Sequence, residues 1–404
     1  MGGELREWRD CKLGDVLELK RGYDLPSQQR QPGSVPIVSS SGPSGFHSEA
    51  MVKAPGVVTG RYGTLGEVFF VTRDFWPLNT TLYVRDFKGS DPKFISYFLK
   101  TIDFYSCSDK AAVPGVNRNH LHELPVRVPP LADQHAIARI LGTLDEKIEL
   151  NRKMNATLEA MAQALFKSWF VDFDPVRANA EGRTPTAMDA ETAKLFPSDF
   201  VDSELGPIPE GWRVGSVYEL STVDYGAPYT STKFNTEKRG LPVVRIRDLV
   251  DQTPAIWTDE EHPRAVRLAD GDVVVGMDGE FRTHVWGSGP ALLNQRACRF
   301  SPRDPKDGTF VRLSVRPCLE FVERTEVATT VIHLGKSDID RFRVVIPSRA
   351  VLDVFAIAAG PLVEKQIAAR HESRSLARIR DALLPRLLSG ELSVADAELV
   401  GGTS

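Results

Sequence analysis

The 404-residue chain says the same thing twice. One copy runs from Trp8 to Phe170 and the other from Trp212 to about Leu388, each closing in a long helical stretch. Trp8-Arg9 returns as Trp212-Arg213, and Gly56-Val57-Val58-Thr59-Gly60 returns as Asp272-Val273-Val274-Val275-Gly276. Leu78-Asn79-Thr80 returns as Leu293-Asn294-Gln295, and Val126-Arg127-Val128-Pro129 as Val344-Val345-Ile346-Pro347. Glu146-Lys147 returns as Glu364-Lys365. The offset grows from 204 (Trp8 to Trp212) to 218 (Pro129 to Pro347), so the second copy carries about 14 extra residues, placed in its front half. A period this long is not that of a solenoid. Two domain-sized copies in one chain make a pseudo-dimer, suited to gripping two sites in opposite orientation.

The length supports two or three domains, and 42% hydrophobic residues are enough for an ordinary core in each half. No apolar run has the length of a membrane span, and the N-terminal residues lack the charged and apolar regions of a signal peptide. Cys11, Cys107, Cys298 and Cys318 show neither metal-site nor disulfide spacing, so a cytoplasmic location is expected. Net charge is −4, but its distribution matters more. Residues 1–130 hold 16 Lys/Arg against 14 Asp/Glu, whereas residues 171–211 hold three against nine. The lobes are near neutral and the connector is acidic. This chain therefore lacks the global basic footprint of most DNA binders while leaving room for local basic faces.

Short β-type runs broken by Gly, Pro, Ser and Asn fill residues 8–130, among them Val57–Thr59, Glu67–Val71 and Thr81–Val84. Asp91–Thr101 has helical spacing. From Asp133 to Phe170 apolar residues keep a period near 3.5, with Leu141, Ile148, Ala162 and Trp169 in one column and Leu144, Leu158 and Leu165 in the other. Asn151 and Asn155 interrupt these columns. The spacing predicts a long helix with a coiled-coil seam, ended at Asp174-Pro175. A second helix is expected from Ser348, a plausible N-cap, to Ser389, with Gly390 as its stop. Pro361 and Pro385 predict that it is interrupted or kinked. Two helices of matching length pair most economically with each other. Paired antiparallel, they would carry the lobes at opposite ends, related by a pseudo-two-fold axis.

The expected fold is therefore α+β: two β-rich domains joined by two long antiparallel helices as a coiled-coil spacer. The expected divisions are 1–130, a first β-rich domain, and 131–173, the first spacer helix. An acidic, proline-containing linker (174–210), a second β-rich domain (211–347), the second spacer helix (348–390) and a tail (391–404) follow.

Catalytic motifs are missing. Leu334-Gly335-Lys336-Ser337 resembles the tail of a phosphate-binding loop, but Thr330 stands where its first glycine is required. There is no G-x-G-x-x-G after a strand, no Asn-Pro-Pro-aromatic tetrad, no H-E-x-x-H and no G-x-S-x-G. His120 and His122 have no further ligands nearby in sequence, and Asp270-Gly271-Asp272 reads as turn chemistry. No catalytic and no metal-binding residue is assigned.

What remains is polar, loop-borne and repeated. Gly60-Arg61-Tyr62-Gly63 and the segment from Gly276 to Arg282 occupy equivalent loops. Leu78-Asn79 and Leu293-Asn294-Gln295-Arg296 place amides and a guanidinium after a strand, where Asn and Gln can read adenine and Arg guanine. Lys110 to Arg118, with Asn117 beside Arg118, joins cations to a turn suited to phosphate and base contact; Thr330 to Lys336 is its counterpart. Arg245, Arg247 and His284 add donors in the second lobe. Each loop also has the plainer reading of a tight turn. The aromatic cluster Trp169, Phe170 and Phe173 reads as core or as a protein-partner surface, and partner binding is the assignment carried forward.

These residues stand in an order that resembles the specificity subunit of type I restriction-modification systems. The signatures are Trp8-Arg9 with Lys12-Leu13-Gly14-Asp15-Val16, Asn117-Arg118-Asn119-His120-Leu121, and Pro129-Pro130-Leu131-Ala132-Asp133-Gln134. Leu144 to Asn151, Leu165 to Phe173 and Leu383 to Leu392 complete the set. The resemblance implies two target-recognition domains, each reading one half of a split site in double-stranded DNA, held apart by helical spacers. It implies two modification (methyltransferase) subunits as partners, which carry the S-adenosylmethionine chemistry, with room for a restriction/translocase subunit. It implies no cofactor in this chain. The second lobe departs from the pattern at Pro347-Ser348-Arg349-Ala350-Val351 and at His333 to Asp338. Two other readings are a self-contained methyltransferase or nuclease with fused recognition domains, and a two-lobed scaffold that binds no DNA.

Overall fold

The computed structural model describes residues 8–107, 115–186, 188–325 and 332–401. It divides into two compact units, Met1–Ile148 with Ser375–Ser404, and Glu149–Arg374. Both long helices cross that division.

In the first unit the chain runs through β1 (Arg9–Lys12), β2 (Glu18–Arg21), β3 (Val35–Ser39), β4 (Gly42–His47), β5 (Gly56–Gly60), β6 (Val68–Val71), β7 (Trp76–Pro77) and β8 (Thr81–Asp86). Helix α1 (Pro92–Leu99), short α2 (Arg118–His122) and β9 (Pro125–Val128) lead into helix α3 (Leu131–Phe170). Asp91 caps α1, accepting a 2.7 Å hydrogen bond from the Phe94 amide, with Pro92 in the first turn where its missing N–H costs nothing. The strands form a sheet of order β2-β8-β5-β6, a second of order β4-β3-β7, and the pair β1-β9.

After α3 come α4 (Asp174–Ala180), α5 (Ala190–Ala193) and the small strands β10 (Phe200–Val201) and β11 (Ile208–Pro209), so the acidic linker is partly structured. The second unit repeats the first: β12 (Arg213–Ser216), β13 (Ser221–Tyr225), β14 (Leu241–Val244), β15 (Trp257–Thr258), β16 (Arg267–Leu268), β17 (Val273–Gly276), β18 (Thr283–Val285), β19 (Ala291–Leu293) and β20 (Ala297–Pro302). Then follow α6 (Gly308–Thr325), α7 (Lys336–Ile339), β21 (Arg343–Ile346), α8 (Arg349–Ser389) and α9 (Val394–Gly401). Its sheets are ordered β13-β20-β17-β18 and β15-β14-β19-β16, with the pair β12-β21. Strand for strand this is the first unit again. Among the described residues from β12 onward, the strand without a counterpart is β16, which lies in the added front-half residues.

The repeat extends to close contacts. A Cβ on Gly22 would lie 2.1 Å from the Leu78 carbonyl oxygen, and one on Gly226 would lie 2.2 Å from that of Asn294. Glycine is needed at both because a strand end passes directly against the neighbouring turn.

Each unit keeps its own core, and each takes one stretch of both long helices into it. In the first unit Ile137, Ala138 and Leu141 of α3 and Leu383, Leu387 and Leu388 of α8 pack with Phe94, Ile95 and Leu121. The Asp145 carboxylate of α3 there accepts from the Tyr97 hydroxyl of α1 at 2.6 Å and from Arg380 of α8 at 2.7 Å. In the second unit the helices run antiparallel. Asn151 donates to Glu372 at 2.7 Å, the Gln366 amide approaches Glu159 at 3.5 Å, and the rings of Phe170 and Phe355 lie 5.0 Å apart. Residue numbers rise along one helix as they fall along the other. Asn151 is the seam polar residue, 1% exposed.

Two expectations are narrowed. Helix α8 continues through Pro361 and Pro385 as one element, so of an interrupted or a kinked helix the interruption is ruled out. Each proline removes a backbone donor and crowds the carbonyl four residues before it, but the packing of Val351, Leu352, Phe355 and Ala359 on one side and Leu383, Leu387 and Leu388 on the other holds the helix on either flank. Trp169, Phe170 and Phe173 are not a surface for a partner: they are 8%, 6% and 8% exposed and belong to the second unit's own core. There they meet Phe196, Trp212, Phe310 and Phe355 edge-on or tilted, the geometry that aromatic quadrupoles favour.

Candidate nucleic-acid interface

In the first unit β5 ends at Gly60, and the chain turns so that Arg61 and Tyr62 face the segment entering α2. Tyr62 pairs with Gly115 through an isolated antiparallel bridge, and the Val116 amide donates to the Arg61 carbonyl at 3.0 Å. This bridge brings Asn117 and Arg118, which are distant in sequence, beside the β5 loop. Asn117 caps α2, its side-chain oxygen accepting from the Asn119 amide at 3.0 Å, so Arg118 stands exposed at the first helical position.

The result is an open cleft of about 640 Å³ lined by Arg61, Tyr62, Asn117 and Arg118 together with Lys20, Arg21, Tyr23 and Asp24. Four cations face one carboxylate. The Arg61 guanidinium lies 4.5 Å from the centre of the Tyr62 ring, a stacked cation–π arrangement. Tyr23 shares a 2.9 Å hydroxyl contact with Tyr83, and Lys20 reaches its oxygen at 3.4 Å. The hydrogen bond from Tyr83 and the nearby Lys20 draw the Tyr23 hydroxyl below its usual pKa, while burial pushes that of Tyr83 up. Asn79 donates to Asp24 and so borders the same cleft. Lys110 lies outside the described residues.

Lys20, Arg21 and Tyr23 were missed in the sequence. Their signal was the Gly22 that follows β2, which marks a strand end pressed against the Asn79 turn.

In the second unit the equivalent bridge joins Asp278 to His333. Position for position, Tyr62 is replaced by Asp278 and Arg118 by Lys336. His333 Nδ1 lies 2.7 Å from the Asp278 carboxylate, and Arg296 approaches it at 3.5 Å. Asn294, bridged to Ala227, leads directly into exposed Gln295 and Arg296. Where Lys20 and Tyr83 stand in the first unit, Asp224 and Arg299 form a 2.8 Å ion pair. The scaffold agrees while the charges differ.

The remaining second-lobe candidates are not gathered here. Arg245 is held by both oxygens of buried Asp248, at 2.9 and 3.2 Å. Arg282 Nη1 donates to both carboxylate oxygens of Glu323 of α6, at 2.7 and 2.9 Å. His284 lies on β18 in a pocket against the long helices, where burial and the charges of Arg370 and Arg312 lower its pKa. Arg247 is exposed on the turn after β14, and Lys336 is engaged with Asp340 at 2.9 Å. Among the described residues no cluster of His, Cys, Asp or Glu could hold a metal, and no helix is long and apolar enough to cross a membrane.

Residues 6–160 match the model of the type I restriction modification DNA specificity domain. The chain is 28% identical to the HindI type I restriction enzyme specificity subunit of Haemophilus influenzae, the match covering 74% of this chain and 77% of that protein. It is 27% identical to the MjaIX specificity subunit of Methanocaldococcus jannaschii, covering 75% and 68%. The crystal structure of a type I restriction-modification S subunit from M. genitalium shares the fold, with a TM-score of 0.60 at 16% identity over 96% of this chain and 97% of that one. The duplicated α+β scaffold, the matched specificity domain and relatives along most of its length make this chain similar to the type I restriction-modification specificity subunits.

Proposed function

We propose that this chain is the DNA sequence-specificity subunit of a type I restriction-modification complex and has no catalytic activity of its own. Each β-rich lobe reads one half of a bipartite site in double-stranded DNA. The long helices set the gap between half-sites and dock two methyltransferase subunits. Those partners supply S-adenosylmethionine chemistry, and a restriction/translocase subunit can complete the assembly. A cytoplasmic location fits this role.

The observation that carries the reading is the loop cleft of the first lobe together with the equivalent bridged loops of the second, one repeated scaffold with different polar residues. Lysine and arginine there can contact phosphates, and Arg118, Asn117, Gln295 and Arg296 have the donor patterns that read guanine and adenine edges. Tyr62 in one lobe and Asp278 in the other give the two lobes different preferences.

The test is to reconstitute the chain with its methyltransferase subunits and map methylated adenines. Exchanging residues 212–347 for those of a relative should change one half-site and leave the other intact. Methyl transfer by the isolated chain, or a change in both half-sites, would refute the proposal.

A further inference from the structure

A second polar pocket, unrelated to the first-unit cleft, lies in the second unit where α6 and β18 meet the two long helices. It encloses about 290 Å³, with Asn155, Glu159, His284, Arg312, Gln366 and Arg370 among its lining residues. The Arg312 side chain is 3% exposed. Its Nη1 donates to Glu159 at 2.7 Å, while Nε and Nη2 are buried and have no hydrogen-bond partner. Those two nitrogens form one edge of the guanidinium plane, the side-on edge that takes an oxyanion through two parallel hydrogen bonds. Arg370 places a second guanidinium in the pocket, with one of its nitrogens on the Val285 carbonyl at 3.0 Å.

The charge is unbalanced as well as the hydrogen bonding. Among the lining side chains two guanidinium groups face one carboxylate, with the Asp270 charge acting on Arg370 from beyond the lining, and burial and both arginines lower the His284 pKa. Water in the pocket can satisfy donors, but only an anion can also offset a buried charge, whose desolvation costs several kcal/mol. We propose that this pocket binds one small oxyanion of the phosphate or sulfate class, gripped by the unpaired edge of Arg312 and balanced by Arg370. The bound anion ties α6 of the lobe to α3 and α8. The site belongs to the second lobe alone. Aligning Asp91-Pro92-Lys93-Phe94 with Asp307-Gly308-Thr309-Phe310 puts Ser96 in the place of Arg312, and the Ser96 hydroxyl already donates to the Lys93 carbonyl at 2.6 Å.

Isothermal titration of the full chain with inorganic phosphate, in chloride buffer of constant ionic strength, tests this directly. One saturable equivalent is expected. Arg312→Met should weaken it at least tenfold. Glu159→Gln should tighten it severalfold, because it removes the competing negative charge. Titration with dimethyl phosphate separates the sources: binding of both ligands assigns the pocket to phosphodiesters as well, and binding of inorganic phosphate alone assigns it to a free ion. Absence of a saturable site, indifference to Arg312→Met in a folded variant, or weaker binding in Glu159→Gln overturns the proposal. If Arg312→Met does not fold, the sign of the Glu159→Gln effect still decides.

Discussion

Glu159→Ala should be among the most damaging single changes in the second unit, and its partner's loss much milder. Arg312 is 3% exposed and Glu159 is 31% exposed, with one 2.7 Å contact between them. Truncating the glutamate leaves a buried guanidinium without its carboxylate, which costs about 3–5 kcal/mol. Truncating the arginine leaves a carboxylate that water reaches and that still accepts from Gln163 at 2.6 Å. Arg312→Met should therefore cost only about 1–2 kcal/mol, the scale of a lost charge-assisted hydrogen bond. In the double variant Arg312 is no longer stranded, so it should be more stable than Glu159→Ala alone by about 2–3 kcal/mol. Urea unfolding followed by tryptophan fluorescence in phosphate-free buffer reads this unit well, because Trp169, Trp212, Trp257 and Trp286, four of the six tryptophans, lie within it. A Glu159→Ala cost below about 1 kcal/mol, or purely additive effects in the double variant, would refute the account of this pair.

The same carboxylate should leave a mark on pH dependence. Burial pushes the Glu159 pKa up, but the hydrogen bond and charge of Arg312, with Gln163 and Gln366, more than reverse this and hold it below the ordinary 4.5. The unfolded chain therefore binds the proton first, and the stabilisation, complete above about pH 4.5, declines as pH falls toward the folded-state value. Acid titration of Glu159→Gln should lack that decline. Arg118→Ala should weaken DNA binding by the reconstituted complex by about 1–3 kcal/mol. A base contact would relax one half-site position, a phosphate contact would reduce the salt slope by about one, and filter binding across salt concentrations tells the two apart. Gly22→Ala and Gly226→Ala should each cost about 1–3 kcal/mol or more, because the added methyl meets backbone oxygen at 2.1 and 2.2 Å; thermal unfolding measures it. Inserting seven residues at matching points of α3 and α8 lengthens each helix by about 10 Å. The preferred gap should grow by about three base pairs with both half-sites unchanged, as mapped by methylation.

Much of this protein is written in its sequence. The repeat, the helix from the region of Leu131 to Phe170, the helical spacing after Asp91 and the strands around Val57 and Thr81 follow from local periodicity and turn chemistry, which need only neighbouring residues to be expressed. The gathering of side chains could not be read this way. Arg61 meets Asn117 because a bridge at Gly115 closes a long loop, and Lys20 joins them because β2 pairs with β8. Trp169, Phe170 and Phe173 look alike in sequence whether they face a partner or a core; only the arrival of Trp212, Phe310 and Phe355 buries them. Arg245 and Arg282 read as free donors until Asp248 and Glu323 are seen to hold them. Sequence determined which elements form and that they form twice. Tertiary structure decided which charges are already neutralised and which still face outward, because electrostatic partnership depends on distance in space and not on separation along the chain.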